Sequence, residues 1–310
     1  MRLVFMGTPR FAVPAFEKLL NSKHQVAAVV TAPDKPRGRG RVLSPTPIKE
    51  AALKANLPIL QPANLKSTEF LKDLGEFEPD LNVVVAFRIL PESVFALPRL
   101  GSINLHASLL PAYRGAAPIN WAIINGETVT GLTTFLLQKE VDTGDIIMRR
   151  EVTIRPEDDF GSVHDKMALI GADLLLESID ALESGRAMLI PQDRTQVSSA
   201  PKITPETRKI KWGRPAKEIC NLIRGLSPHP GAYSVLDGRK LIILKGAIME
   251  NNRQAEPGTI TIADDKSGLA VACGDGALHI LQLKPEGKKV MGSAEFVRGY
   301  HVEAGKKFAG

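Results

Sequence analysis

Cysteine is almost missing from this chain. Two residues, Cys220 and Cys273, in a chain of 310 exclude a disulfide-stapled scaffold and a thiolate metal cluster. Both lie in apolar stretches, where a buried thiol without a chemical role is the simplest reading. Long hydrophobic runs are also missing. The longest, such as residues 81–87 (LNVVVAF), end well before the roughly 18 residues of a membrane helix. Residues 1–6 read as a buried strand entering Gly7, with no small-residue cleavage site behind them, so a signal peptide is not expected and a cytoplasmic protein is. The six histidines are scattered without ligand spacing, and no metal is expected. The first turn, Gly7-Thr8-Pro9-Arg10-Phe11, lacks the G-x-G-x-x-G fingerprint, and no acidic residue closes the second strand; both count against a dinucleotide-dependent oxidoreductase.

What is present is the balance of a globular protein, 44% hydrophobic and 24% charged, and 310 residues suggest two domains. Strand and helix alternate through the first half. Residues 1–6, 26–31, 59–60, 81–87 and 101–106 read as strands, with helices at 48–56 and 66–75 and another that has Pro14 in its first turn. That alternation predicts a Rossmann-like parallel α/β sheet. Residues 131–137 and 146–154 read as paired strands around a loop at 140–145. A long amphipathic helix follows over 160–184, capped by Asp158 or Asp159 and stopped by Gly185. Residues 190–207 (IPQDRTQVSSAPKITPET) have three prolines and no period, the composition of a linker between a domain at 1–189 and one at 208–310. Beyond it, a helix from Pro215 is followed by short strands at 8–12-residue spacing with Gly and Asp turns, which predicts a small OB-like β-barrel.

Residues 101–118 (GSINLHASLLPAYRGAAP) hold the most chemistry. On a strand, Asn104 and His106 point to the same face and end at the rim where ligands bind in open α/β sheets. An amide there can donate to a developing oxyanion, and an imidazole can move a proton near neutral pH. Asp142, in a loop closed by Gly144, is either a turn cap or the third group that orients His106.

The order N-x-H, then S-L-L-P-x-Y-R-G-A-A-P, then D-T-G-D about 35 residues on resembles the formyltransferases that use 10-formyltetrahydrofolate. Gln138-Lys139-Glu140-Val141 departs from the family's lead-in to the aspartate but leaves Asp142 and the Thr-Gly-Asp after it intact. The resemblance implies a catalytic set of Asn104, His106 and Asp142. It also implies a turn, Ser108, Leu109, Leu110 and Pro111, lining the folate pocket with backbone from 88–90, and a formyl donor that needs no metal. Residues 6–9, 33–49, 226–231 and 288–291 match the branch acting on initiator methionyl-tRNA, so the implied acceptor is the methionine α-amine. An amino-sugar nucleotide or small amine is the alternative acceptor.

Lys35, Arg37, Arg39 and Arg41 fall within seven residues, separated by Pro and Gly, while net charge is only +6. By themselves they suit a solvated loop; the resemblance directs them at the acceptor end of tRNA, with scattered C-terminal lysines adding a salt-dependent grip. A monomer is expected.

Overall fold

Leu3, Val4, Phe5 and Met6 are apolar in succession, and strand β1 (Arg2–Gly7) is accordingly covered on both faces. The computed structural model describes residues 1–37, 42–249 and 255–309. In chain order β1 is followed by β2 (Gln25–Val30), β3 (Lys35–Arg37), β4 (Val42–Ser44), β5 (Ile59–Leu60), β6 (Leu81–Val85), β7 (Ser102–His106), β8 (Arg114–Gly115), β9 (Val129–Leu136) and β10 (Ile146–Thr153). Seven of these form one sheet in the order β10-β9-β7-β6-β1-β2-β5. It is parallel from β7 to β5 and turns antiparallel where β9 meets β7. The expected α/β sheet therefore stands, with an antiparallel hairpin added at one edge.

Helices α1 (Val13–Leu20), α2 (Pro47–Lys54), α3 (Thr68–Gly75), α4 (Glu92–Phe95), α5 (Pro118–Ile124) and α6 (Phe160–Glu183) intervene. Their starts follow local rules. Thr46 accepts from the Lys49 amide ahead of Pro47, Ser67 from the Phe70 amide, and Asp159 from the Ser162 amide.

The chain divides into two compact units: Met1–Gly115, Thr130–Thr153 and His164–Ala200 in the first, and Ala116–Val129, Ile154–Val163 and Pro201–Gly310 in the second. Within the first unit, alternation on β7 assigns its residues to opposite faces. Leu105 meets α6 at Gly171, where a β-carbon would stand 2.8 Å from the leucine side chain. On the other face, Val84 and Met6 join Phe70, Leu74 and Val94 of α3 and α4 in a core, and this is the face that Asn104 and His106 share.

The second unit takes α5 from the middle of the chain and packs it on α8 (Ala216–Leu226), which follows α7 (Pro205–Arg208). Gly225 makes the close approach possible, since a β-carbon there would lie 3.1 Å from the backbone of Asn120 and Ile124. The buried amide of Asn120 donates to the Gly225 carbonyl at 2.8 Å. Strands β12 (Ala232–Leu236), β13 (Arg239–Met249), β14 (Ile260–Asp264), β15 (Gly268–Ala272), β16 (Ala277–Pro285) and β17 (Met291–Gly292) build an antiparallel sheet, with α9 (Ser293–Tyr300) after it. The β12–β13 hairpin turns on Asp237-Gly238, both at positive φ as an Asp-Gly hairpin requires. The tail bridges Thr259 through Lys307 and Val235 through Ala309, reaching both edges of the sheet as a barrel needs. Trp212, Ile219, Ile223, Ile243, Leu278 and Phe296 fill its core. Among the described residues, no helix is long and apolar enough to cross a membrane.

Candidate active site

At the C-terminal end of β7, Asn104 pairs with Val84 on one side and Phe135 on the other, and His106 pairs with Thr133. Asn104 is half-buried, and its amide has no hydrogen-bond partner among the described residues, which leaves both its donors to a ligand. His106 is buried. Its Nε2 lies 2.9 Å from the Tyr113 carbonyl; a carbonyl only accepts, so Nε2 carries the hydrogen and Nδ1 of the neutral ring is a base. Nδ1 stands 3.9 Å from Asp142 Oδ2. That is too far for a hydrogen bond but close enough for the carboxylate to stabilise an imidazolium. Tyr113, rather than the carboxylate, is thus the group in hydrogen-bond contact with the ring.

Asp142 is buried, and its Oδ2 accepts from the Gly115 amide at 2.9 Å. Its backbone is left-handed, φ 56°, as are those of Tyr113 at 59° and Ala86 at 48°. Three non-glycine residues in that region, on segments that follow β6 and β7 and join β9 to β10, are the kind of strain that collects at functional sites. Gly144 ends the Asp142 loop against the Leu136 backbone, too close for any β-carbon.

The turn after β7 is held from within. Thr133 Oγ1 donates to the Ser108 carbonyl at 2.7 Å and accepts from the Leu110 amide at 3.0 Å, while Ser108 Oγ donates to the Ala112 carbonyl at 2.6 Å. Ser108, Leu110 and Pro111 are buried and Leu109 is half-buried; Leu110 packs with Phe135 and Ile146. These side chains build the turn, so a ligand beside it meets mainly its backbone. Arg88 donates to the carbonyls of Pro62 and Ala63, and burial lowers its pKa from the ordinary arginine value.

Of the four basic-loop residues, Lys35 is exposed, Arg37 pairs with Val42 between β3 and β4, and Arg39 and Arg41 lie outside the described residues. The hairpin's stem is anchored. Asp34 accepts from Lys49 at 2.6 Å and Gln61 at 2.9 Å, which hold its carboxyl below the usual range, and the hydroxyls of Thr31 and Thr46 meet at 2.7 Å. One group among the described residues has the geometry to hold a metal: His24, Asp180 and Glu183. Lys23 already sits 2.9 Å from both carboxylates. Its hydrogen bonds bring Glu183 down to about 2 and lower Asp180, so a cation is in place without a metal. Sequence reasoning missed Gln192, whose amide reaches the Asp142 loop, and the roles of the Tyr113 carbonyl and the Gly115 amide. No local pattern in the sequence marks any of the three.

The formyl transferase family matches residues 1–179, and the formyl transferase C-terminal domain matches residues 202–301. The chain belongs to the formyl transferase family. A methionyl-tRNA formyltransferase of Caldanaerobacter subterraneus subsp. tengcongensis is 47% identical over 98% of this chain and 99% of its own length. Among solved structures, HypX from Aquifex aeolicus in complex with tetrahydrofolic acid superposes with a TM-score of 0.67 at 20% identity. The match covers 96% of this chain, which spans about half the length of HypX (48%). WlaRD, a sugar 3N-formyl transferase solved with dTDP and 5-N-formyl-THF, gives 0.67 at 17% identity over 93% of this chain and 99% of that one. These two likenesses concern the fold.

Proposed function

We propose that this chain transfers the formyl group of 10-formyltetrahydrofolate to the α-amino group of methionyl-initiator tRNA, giving N-formylmethionyl-tRNA. The observation that carries the chemistry is the unpartnered Asn104 amide on the same strand face as His106, whose Nδ1 stands 3.9 Å from Asp142. The donor supplies an activated formyl carbon. Asn104 donates to the oxyanion that develops on the formyl oxygen as the amine adds, His106 Nδ1 takes the proton released by the amine, and Asp142 stabilises the imidazolium. When the tetrahedral intermediate collapses, the bond from the formyl carbon to N10 breaks and the His106 imidazolium returns the proton to N10, so that tetrahydrofolate leaves. One oxyanion donor of this type is worth on the order of 10²–10³ in turnover. The buried turn 108–111 shapes the folate side of the site.

The choice of acceptor rests on the methionyl-tRNA formyltransferase relative, 47% identical over nearly the whole chain. Lys35, Arg37, Arg39 and Arg41 reach the tRNA acceptor end. Residues 208–310 hold the tRNA body, with residues 1–189 catalytic and 190–207 joining the two. In the second unit, Lys240 lies 4.1 Å over the Tyr233 ring and Arg208 5.8 Å from it, a cation–aromatic surface suited to RNA. Lys306 and Lys307 pair with Asp237 and Glu256, so less of the grip falls on them. The reaction belongs in the cytoplasm, and the chain works as a monomer.

The test is transfer of formyl label from 10-formyltetrahydrofolate to initiator methionyl-tRNA, beside elongator methionyl-tRNA and a nucleotide-linked amino sugar. Label on the initiator alone is expected. Label on the sugar with neither tRNA modified would overturn the acceptor and keep the chemistry.

A further inference from the structure

Residues 190–200 look like linker in sequence, yet both ends of the segment are hydrogen-bonded into the rest of the first unit. Ile190 exchanges both backbone hydrogen bonds with Ile146, at 2.8 and 2.9 Å. Two residues on, Gln192 Nε2 donates to the carbonyls of Asp142 at 2.9 Å and Gly144 at 2.8 Å. Its Oε1 accepts from Arg114 Nη2 at 2.6 Å and Nε at 3.2 Å. Two carbonyls can only accept and a guanidinium can only donate, so the amide has a single orientation that satisfies all four contacts. Further along, the Ser198 carbonyl accepts from the Arg114 amide and its hydroxyl from the Tyr113 amide, each at 2.9 Å. Ser199 and Ala200 form β11 (Ser199–Ala200), parallel to β8. Gly115 is left-handed, φ 123°, and comes so near that a β-carbon would lie 2.7 Å from the Ala200 carbonyl oxygen.

This segment therefore holds the two pieces of chain that place the reacting side chains. The 113–115 piece presents the Tyr113 carbonyl to His106 and the Gly115 amide to Asp142; the 142–144 piece carries Asp142 itself. We propose that Gln192 is a positioning residue for formyl transfer, its amide tying the backbone on both sides of Thr143 to Arg114 so that Asp142 keeps its place beside His106. The inference rests on the catalytic reading of Asn104, His106 and Asp142.

Two variants test it. Gln192→Ala removes every contact. Gln192→Glu has the same size and keeps an acceptor for Arg114 but loses both donations, so it also covers the case in which the alanine variant folds poorly. Both are expected to lower kcat about 10- to 100-fold, the scale of an ångström-sized misplacement, with KM for both substrates changed less than threefold. The decisive readout is a double-mutant cycle under single-turnover conditions with enzyme in excess. In an Asp142→Ala background, Gln192→Ala should change the rate less than twofold, because no carboxylate remains to be placed. The same loss in both backgrounds, or a kcat within twofold of wild type for the two single variants, overturns the positioning role. A fully active Asp142→Ala protein would instead overturn the catalytic reading beneath it.

Discussion

Gly144→Ala probes how the Asp142 loop is held. A β-carbon at this position would lie 1.7 Å from the Leu136 carbonyl oxygen and 2.9 Å from its carbon, backbone atoms that no rotamer change can move away. Reaching the 3.0 Å floor of real β-carbon contacts needs about 1.3 Å of backbone displacement, and a close-packed interior transmits such a shift. The Leu136 amide donates to the Asp145 carbonyl at 3.0 Å, and the Gly144 carbonyl accepts from Gln192 at 2.8 Å. The displacement cannot be absorbed there without breaking one of these bonds, and Asp142 is two residues away. Overpacking of this kind costs about 1–3 kcal/mol of stability. A misplacement near 1 Å costs about 100-fold in rate, or about 2.7 kcal/mol of barrier. The measurements are steady-state formylation of initiator methionyl-tRNA and thermal melting of the same preparation. A kcat reduced about 100-fold in a protein that remains folded is expected. A variant whose kcat stays within threefold of wild type would refute the claim that this close approach places the carboxylate.

Two further outcomes follow from the structure. Burial pushes the Cys273 thiol up to about 11 and raises that of Cys220, so in the native protein both should react with a thiol reagent at pH 8 far more slowly than a free thiol and react fully in denaturant. Because folding favours the protonated thiol at Cys273, its contribution to stability is complete below the ordinary value of 9.0 and lost as pH rises from 9.0 towards 11; rapid labelling of two thiols in the native protein would contradict this. Trp212 is 2% exposed, donates to Ser234 Oγ at 3.0 Å and packs on Phe308 with ring centroids 5.2 Å apart. Trp212→Ala should destabilise the second unit by about 3–5 kcal/mol, read by denaturant unfolding, and a loss below about 1 kcal/mol would show that the core collapses around the gap.

The sheet and most of its boundaries could be read from residue order, because strand and helix follow from the period of apolar residues and from local caps. Asp159 caps α6 as expected, and Thr46 and Ser67 cap α2 and α3 by the same local rule. The Asn104–His106 pair was legible for the same reason: alternation on a strand puts residues two apart on one face, whatever the rest of the chain does. Asp142 was legible only through its motif, since nothing local tells a turn cap from a carboxylate facing an imidazole 36 positions earlier. Folding alone could reveal the Tyr113 carbonyl as the partner of His106, the Gly115 amide as the partner of Asp142, and Gln192 as the tie between their two segments. Backbone groups carry no sequence identity, and a glutamine in a proline-punctuated stretch looks the same whether it faces water or two carbonyls. Likewise, α5 packs on α8 in the second unit although about 90 residues separate them, because Gly225 lets the backbones approach. Local periodicity and motif order set the elements and pointed to the side chains proposed to react. Which long-range backbone contacts hold them in register was decided by tertiary packing, where such contacts depend on distance in space and leave no period along the chain.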